Sequence, residues 1–223
     1  MIEPVRSRLP PGVRLDNRAG PVMRGIRAAC RMVIRSLAIG GLRIEGLETV
    51  PSTGPVLVCC NHLSNLDPLV LVGFYPRVTH AMTKAELFGN PVARAVLTRS
   101  NCFPVNRGGL DRAAVRGALA VLDTGGALLV FPEGTRAPTV GLRAPEAGAG
   151  WLARQSGALV QPCGIWGTER AWPPGQRLPR RGRIMLRLGR PFHPQATDPR
   201  AAAVEVMLAI ASLLPPEYRG RFA

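Results

Sequence analysis

The chain has 223 residues, 46% of them hydrophobic, which suits one domain with a sizeable core and is too apolar for a disordered chain. Aromatic residues make up 5%, so aliphatic side chains and alanine must fill that core. Twenty-nine Lys+Arg against 14 Asp+Glu leave a formal charge of +15, with Lys84 the sole lysine; such a surface seeks polyanions, and charge alone does not separate nucleic acid from anionic lipid head groups.

Five cysteines (Cys30, Cys59, Cys60, Cys102 and Cys163) form no CxxC pair and no Cys/His cluster with metal-ligand spacing. Their odd number and scatter point to reduced thiols in a cytosolic compartment and to no metal site. Residues 1–20 hold four arginines and three prolines with no apolar stretch, so they read as an irregular arm and not a signal peptide. No run of 18 uncharged apolar residues occurs, so no transmembrane helix is expected.

Residues 21–39 read as a helix. Arg24, Arg27, Arg31 and Arg35 recur at helical spacing on one face, and Val22, Ile26, Ala29, Val33 and Leu37 lie opposite. Two accounts fit this basic amphipathic pattern: a helix lying on an anionic membrane surface, or a surface helix packed on the core. Gly40-Gly41 ends it, and residues 40–223 then read as one α/β domain. Val56 to Cys60 is a buried strand, Asp67 to Phe74 a helix with Pro68 in its first turn, and Thr79 to Met82 a strand. Pro91 to Thr98 is a helix, Cys102 to Val105 an extended piece, and Asp111 caps a helix running to Leu122. Ala127 to Phe131 is a second buried strand and Glu146 to Gln155 a helix. Ala158 to Trp166 is a strand interrupted by Pro162, Ile184 to Leu188 another, and Ala201 to Leu214 the last helix. Short continuous apolar strands alternating with helices predict an α/β fold with a mixed, largely parallel sheet flanked by helices.

Three groups of residues can carry chemistry. His62 follows the first buried strand, where a side chain reaches the crevice at the carboxyl edge of an α/β sheet. Asp67 comes five residues later at a helix start; from there a carboxylate can fold back, fix the imidazole tautomer and stabilise the protonated ring. The alternative is a strand-end histidine beside a capping aspartate, since the spacing alone is a short pattern. Phe131-Pro132-Glu133-Gly134-Thr135-Arg136 follows the second buried strand, with a glycine for close backbone approach and an arginine suited to phosphate. Phe103-Pro104-Val105-Asn106-Arg107 offers another arginine. His80 and His193 read as structural, Cys163 as core, and Trp151, Trp166 and Trp172 as core, with the lining of a ligand tunnel or an interface as the alternatives.

In order, Asn61-His62 to Asp67, Phe103 to Arg107, Phe131 to Arg136 and Val160-Gln161-Pro162 resemble the glycerolipid acyltransferase family, over roughly residues 40–190. The first and third blocks are specific in combination; the second and fourth are loose. The resemblance implies an enzyme that moves a fatty acyl group from a thioester of CoA or acyl carrier protein to the hydroxyl of lysophosphatidate or a related lysolipid. It implies His62 as general base, Asp67 as its partner, no acyl-enzyme, and no metal or redox cofactor. Arg107, Glu133, Gly134, Thr135 and Arg136 would form the acceptor head-group site, and Pro162 would shape an acyl or acceptor pocket. Backbone N–H groups near His62 or the Gly134 turn are the expected oxyanion donors. The resemblance also implies that residues 21–39 contact the cytoplasmic face of a membrane peripherally, through Arg24, Arg27, Arg31 and Arg35.

Two features depart from the family pattern. Asn101 stands where a glycine is usual, and Glu146-Ala147-Gly148-Ala149 replaces an aromatic-basic pair before Gly-Ala. The second loss leaves the acceptor open between lysophosphatidate, glycerol 3-phosphate, another lysophospholipid and a lyso-aminolipid. Two other functions compete: a non-catalytic basic protein that binds membrane, and a hydrolase in which His62 and Asp67 activate water on an acyl thioester. No nucleic-acid motif or aromatic stacking set is present, so no nucleic-acid partner is expected.

Overall fold

The computed structural model describes residues 9, 13–38, 40–106, 109, 111–137, 139–173, 176 and 180–223. Seven strands form one sheet: β1 (Leu42–Glu45), β2 (Val56–Cys60), β3 (Thr79–Lys84), β4 (Cys102–Val105), β5 (Ala127–Val130), β6 (Leu159–Trp166) and β7 (Ile184–Leu188). Their spatial order is β1-β7-β6-β2-β5-β3-β4. Every neighbouring pair is parallel except β6 with β7. The sheet is therefore mixed and mostly parallel, as the sequence predicts.

The apolar run of β2 has no polar alternation because both faces of the sheet are covered. Leu57 and Cys59 pack into one layer with α4 (Arg112–Asp123), α5 (Ala147–Ser156) and α7 (Pro199–Leu213). Val56, Val58 and Cys60 pack into the other with α1 (Pro21–Leu37) and α2 (Asp67–Phe74). Each fully buried aliphatic side chain contributes roughly 1.5–3 kcal/mol, so β2, fully buried at all five positions, anchors the core. The helices expected from the sequence start within two residues of their predicted positions. Asp111 accepts N–H bonds from Ala113 and Ala114, and Asn90 caps α3 (Pro91–Arg99) in the same way. Gly150 lets α5 and α7 touch, since a Cβ there would lie 2.1 Å from the Pro199 carbonyl oxygen. The strand β1 and the short helix α6 (Thr168–Ala171) are additions to the sequence reading.

Pro162, expected to shape a pocket, is instead built into β6 beside β2. Proline offers no N–H, and the Gly189 carbonyl on that side accepts from Thr49 Oγ1 at 2.9 Å and from the Gln161 amide. The described part of the N-terminal arm is irregular yet docked. Val13 and Leu15 pack on the core, Asn17 Nδ2 donates to the Thr124 carbonyl at 2.9 Å, and Asn101 Nδ2 donates to the Asp16 carbonyl at 3.2 Å.

The helix α1 is rotated relative to the expectation. Arg27 is 8% exposed and Arg31 half-buried, whereas Val22, Met32 and Val33 are 54%, 69% and 40% exposed. The reason lies at the C-terminal end of α2, where carbonyls have no helical partner. Arg31 Nε donates to the Gly73 carbonyl at 2.7 Å, and Arg27 donates to those of Tyr75 at 2.5 Å and Arg77 at 2.9 Å. Cations there also face the negative end of the helix dipole, worth about 0.3–1 kcal/mol at a surface and up to ~2 when partly buried. Arg27 and Arg31 thus bond main-chain carbonyls of the protein, whereas Arg24 and Arg35 remain exposed.

Candidate active site

His62 and Asp67 meet at the carboxyl end of β2. The chain leaves the strand at Cys60, and α2 begins at Asp67, whose side chain folds back over the intervening turn. Asp67 Oδ2 lies 2.9 Å from His62 Nδ1 and also accepts the backbone N–H groups of Leu63 (2.6 Å) and Ser64 (2.7 Å). Asp67 Oδ1 accepts the Thr168 hydroxyl at 2.5 Å. With those donors around it, Asp67 accepts on both oxygens although it is fully buried. The His62 proton therefore sits on Nδ1, and Nε2 carries the lone pair. His62 is 9% exposed, and its ring stacks on Phe131 with centroids 4.0 Å apart, which holds it in one plane.

The neighbouring Asn61 extends the sheet hydrogen bonding past β2. Its side-chain amide donates to the Ile165 carbonyl and accepts the Ile165 N–H, both at 2.8 Å. Asn61 thereby fixes the point at which His62 departs from the sheet.

Glu133 follows β5, is buried, and lies next to the dyad. Oε1 accepts the His62 N–H at 3.1 Å and Oε2 accepts the Arg143 N–H at 3.1 Å. Burial pushes its carboxyl up from the ordinary value, and those two bonds, with the nearby His62 and Arg143 charges, partly offset the rise. Glu133 is thus a strap between the His62 turn and the segment after β5. Gly134 adopts φ 70°, and a Cβ there would meet Glu146 Cγ at 2.9 Å, so the tight turn after Glu133 requires glycine.

Thr135 and Arg136 are exposed, and the Arg136 side chain has no hydrogen bond or ion pair among the described residues. The segment runs alongside the dyad, because the Ala137 N–H donates to the His62 carbonyl at 2.8 Å. Arg107 lies outside the described residues. The oxyanion donors expected around His62 and Gly134 are already used: His62 N–H by Glu133, Leu63 and Ser64 N–H by Asp67, and Gly134 N–H by the Phe131 carbonyl at 3.0 Å. The N–H groups of Thr135 and Arg136 have no protein acceptor among the described residues.

Two contributors escaped the sequence reading. Thr168 lies 101 residues from Asp67, and Arg143 sits in an irregular loop; neither has a local signal beyond its residue type. Beside the dyad, Phe131 also lines a largely apolar cavity of about 930 Å³ with Val105, Val115, Trp151 and Leu152. His80 lies within β3, fully buried; Cys163 is buried in the core, and burial pushes its thiol far up. Neither is near a role in the dyad, and among the described residues no group of His, Cys, Asp and Glu could hold a metal.

A sheet covered on both faces, with a buried Asp–His pair at the carboxyl end of a central strand and, among the described residues, no side-chain nucleophile bonded to the ring, defines a class of enzyme that activates a substrate hydroxyl or water. The chain belongs to the acyltransferase family, whose model matches residues 41–166. It is 30% identical over 163 residues to the 1-acyl-sn-glycerol-3-phosphate acyltransferase of Bacillus subtilis, covering 72% of this chain and 78% of that protein. It is 26% identical to the chloroplastic 1-acyl-sn-glycerol-3-phosphate acyltransferase LPAT1 of Arabidopsis thaliana, covering 70% of this chain and 45% of that longer protein. The crystal structure of the 1-acyl-sn-glycerophosphate acyltransferase PlsC from Thermotoga maritima superposes with a TM-score of 0.72 at 25% identity, covering 86% of this chain and 78% of that chain. The α/β fold and the acyltransferase class read from the motifs both stand.

Proposed function

We propose that this acyltransferase moves a fatty acyl group from a thioester of CoA or acyl carrier protein to the hydroxyl of lysophosphatidate or a closely related lysolipid, as a step of phospholipid synthesis. The observation that carries the reading is the dyad: His62 Nδ1 fixed on buried Asp67 at 2.9 Å, which leaves Nε2 as a base. His62 Nε2 takes the proton of the acceptor hydroxyl while that oxygen attacks the thioester carbonyl carbon. The C–S bond then breaks, and the leaving thiolate takes the proton back from His62. Asp67 stabilises the imidazolium between the two transfers.

The guanidinium of Arg136, without a partner among the described residues, is suited to the acceptor phosphate, and we assign Arg107 and Arg143 to the same phosphate as further cations. Arg143 supplies a positive charge that the Glu146-Ala147 departure removes elsewhere. The N–H groups of Thr135 and Arg136 are the oxyanion donors most available along this segment. The apolar cavity beside Phe131 and Trp151 suits the acyl chain. We assign residues 21–39 to the cytoplasmic face of the membrane, as a peripheral contact made by the exposed apolar side of α1 and rimmed by Arg24 and Arg35. Among the described residues no helix is long and apolar enough to cross a membrane.

The test is acyl transfer from a labelled thioester to a panel of lysolipids in mixed micelles, with wild type beside His62→Ala. Acceptor-dependent product is expected from wild type, and a fall of about 10²–10⁴-fold in the variant, the usual worth of a general base. Free fatty acid without transfer would replace this reading by a thioester hydrolase.

A further inference from the structure

A second cavity, of about 770 Å³, opens at the opposite edge of the sheet from His62. Gly54, Val78 and Gly125 line it, and these residues precede β2, β3 and β5, whereas His62 follows β2. A five-residue strand advances ~17 Å, so the two sites stand at the two ends of the same strands. Five arginines line this cavity: Arg18, Arg24, Arg27, Arg31 and Arg77. Its lining contains no aspartate or glutamate.

What holds these arginines is main chain, not carboxylate. Arg77 donates to the carbonyls of Pro51 (3.2 Å), Gly54 (2.8 Å) and Gly125 (2.5 Å). Arg27 and Arg31 are held by the carbonyls after and within α2, and Arg24 donates to the Ala19 carbonyl at 2.8 Å. Among the described residues none of the five makes an ion pair. Carbonyl acceptors orient a guanidinium but do not cancel its charge. Burial and the proximity of Arg31 accordingly make the Arg27 proton easier to lose than usual, and burial does the same to Arg77. Like charges gathered in a partly desolvated hollow are costly unless an anion completes them. The planar, multi-donor guanidinium suits phosphate oxygens. Ser52 and Thr53 add exposed hydroxyls at the rim, and the absence of any aromatic side chain from the lining argues against base stacking by a nucleic acid.

We propose that this arginine cavity is a phosphate-binding site separate from the candidate active site. The same chemistry fits a phospholipid head group presented by the membrane and a free phosphate or phosphomonoester. Arg24 and Arg31 lie on α1 next to its exposed apolar side, so a head group in the cavity is compatible with acyl chains along Met32 and Val33.

The test is calorimetric titration of the full chain at fixed ionic strength, with inorganic phosphate as one probe. The other probe is vesicles of phosphatidylglycerol, set against phosphatidylcholine. The cavity variant carries Arg18→Gln, Arg31→Gln and Arg77→Gln, and leaves Arg24 and Arg35 at the rim of the α1 membrane contact untouched. A charge-matched control carries Arg180→Gln, Arg181→Gln and Arg190→Gln, all exposed and outside the cavity. Arg136→Gln removes the candidate acceptor cation. Binding at least tenfold weaker in the cavity variant, and within about twofold of wild type in the other two, is expected for at least one probe. Loss confined to phosphatidylglycerol vesicles names the membrane as the source, and loss with inorganic phosphate names a soluble one. Arg18→Gln alone touches no side-chain bond of the fold and should weaken binding severalfold even if the triple variant unfolds. The proposal is overturned if the cavity variants bind both probes as wild type does, if the control loses as much, or if wild type binds neither.

Discussion

At the residue scale the chemistry turns on how firmly Asp67 is held. Four donors converge on one buried carboxylate: the His62 ring, two backbone N–H groups and the Thr168 hydroxyl. Removing the hydroxyl leaves the dyad intact but frees one oxygen of its only donor, in a site where unsatisfied polar groups cost about 1–3 kcal/mol. Thr168→Val is expected to lower kcat by about tenfold with KM for the acceptor little changed, and Thr168→Ser to restore most of it. Steady-state kinetics checks both, and an unchanged kcat in Thr168→Val would remove Thr168 from the positioning of the dyad. Glu133 illustrates the same economy of acceptors: its carboxylate serves two N–H groups 10 and 71 residues away.

At the element scale the orientation of α1 is set by α2. The open carbonyls at the end of α2 capture Arg27 and Arg31, and Met23, Cys30 and Ile34 are buried on the inner side of α1. The outer side is left apolar, with Val22, Met32 and Val33 exposed. Met32→Glu with Val33→Glu places two charges on that side without touching the inner one. Co-sedimentation with anionic vesicles is expected to fall at least tenfold, with the melting temperature within a few degrees of wild type. Vesicle binding unchanged in this variant would show that the membrane contact lies elsewhere.

At the scale of the whole molecule, acid stability should carry the mark of His80. Its ring is fully buried within β3, and burial pushes its pKa down to about 4 from an ordinary 6.5; main-chain groups of Ala127 and Arg14 and the charge of Asp16 only partly oppose this. A histidine whose folded pKa lies below its unfolded one takes up protons more readily when unfolded. Its contribution to stability is therefore complete above about pH 6.5 and is lost as the pH falls toward 4. By linkage the loss is roughly 2 kcal/mol between pH 7 and pH 5. Denaturant unfolding at the two pH values measures it, and His80→Leu should flatten the dependence over this window.

Much of this molecule could be read along the chain. The parallel, doubly covered sheet was legible because strands such as Val56 to Cys60 are apolar without alternation, and caps such as Asp111 act within three residues. His62 and Asp67 were legible because a turn of five residues joins them. Contacts made across the fold left no such trace. Thr168 reaches Asp67 only because β6 runs beside β2, and Glu133 turns inward only because the His62 and Arg143 N–H groups need an acceptor. The spacing of Arg24, Arg27, Arg31 and Arg35 establishes a shared helical stripe, but not which way the stripe faces; that was decided by the carbonyls of a neighbouring helix. Periodicity and local capping are properties of the chain itself. The direction in which a helix turns and the partners of a buried carboxylate are settled by what packs against them.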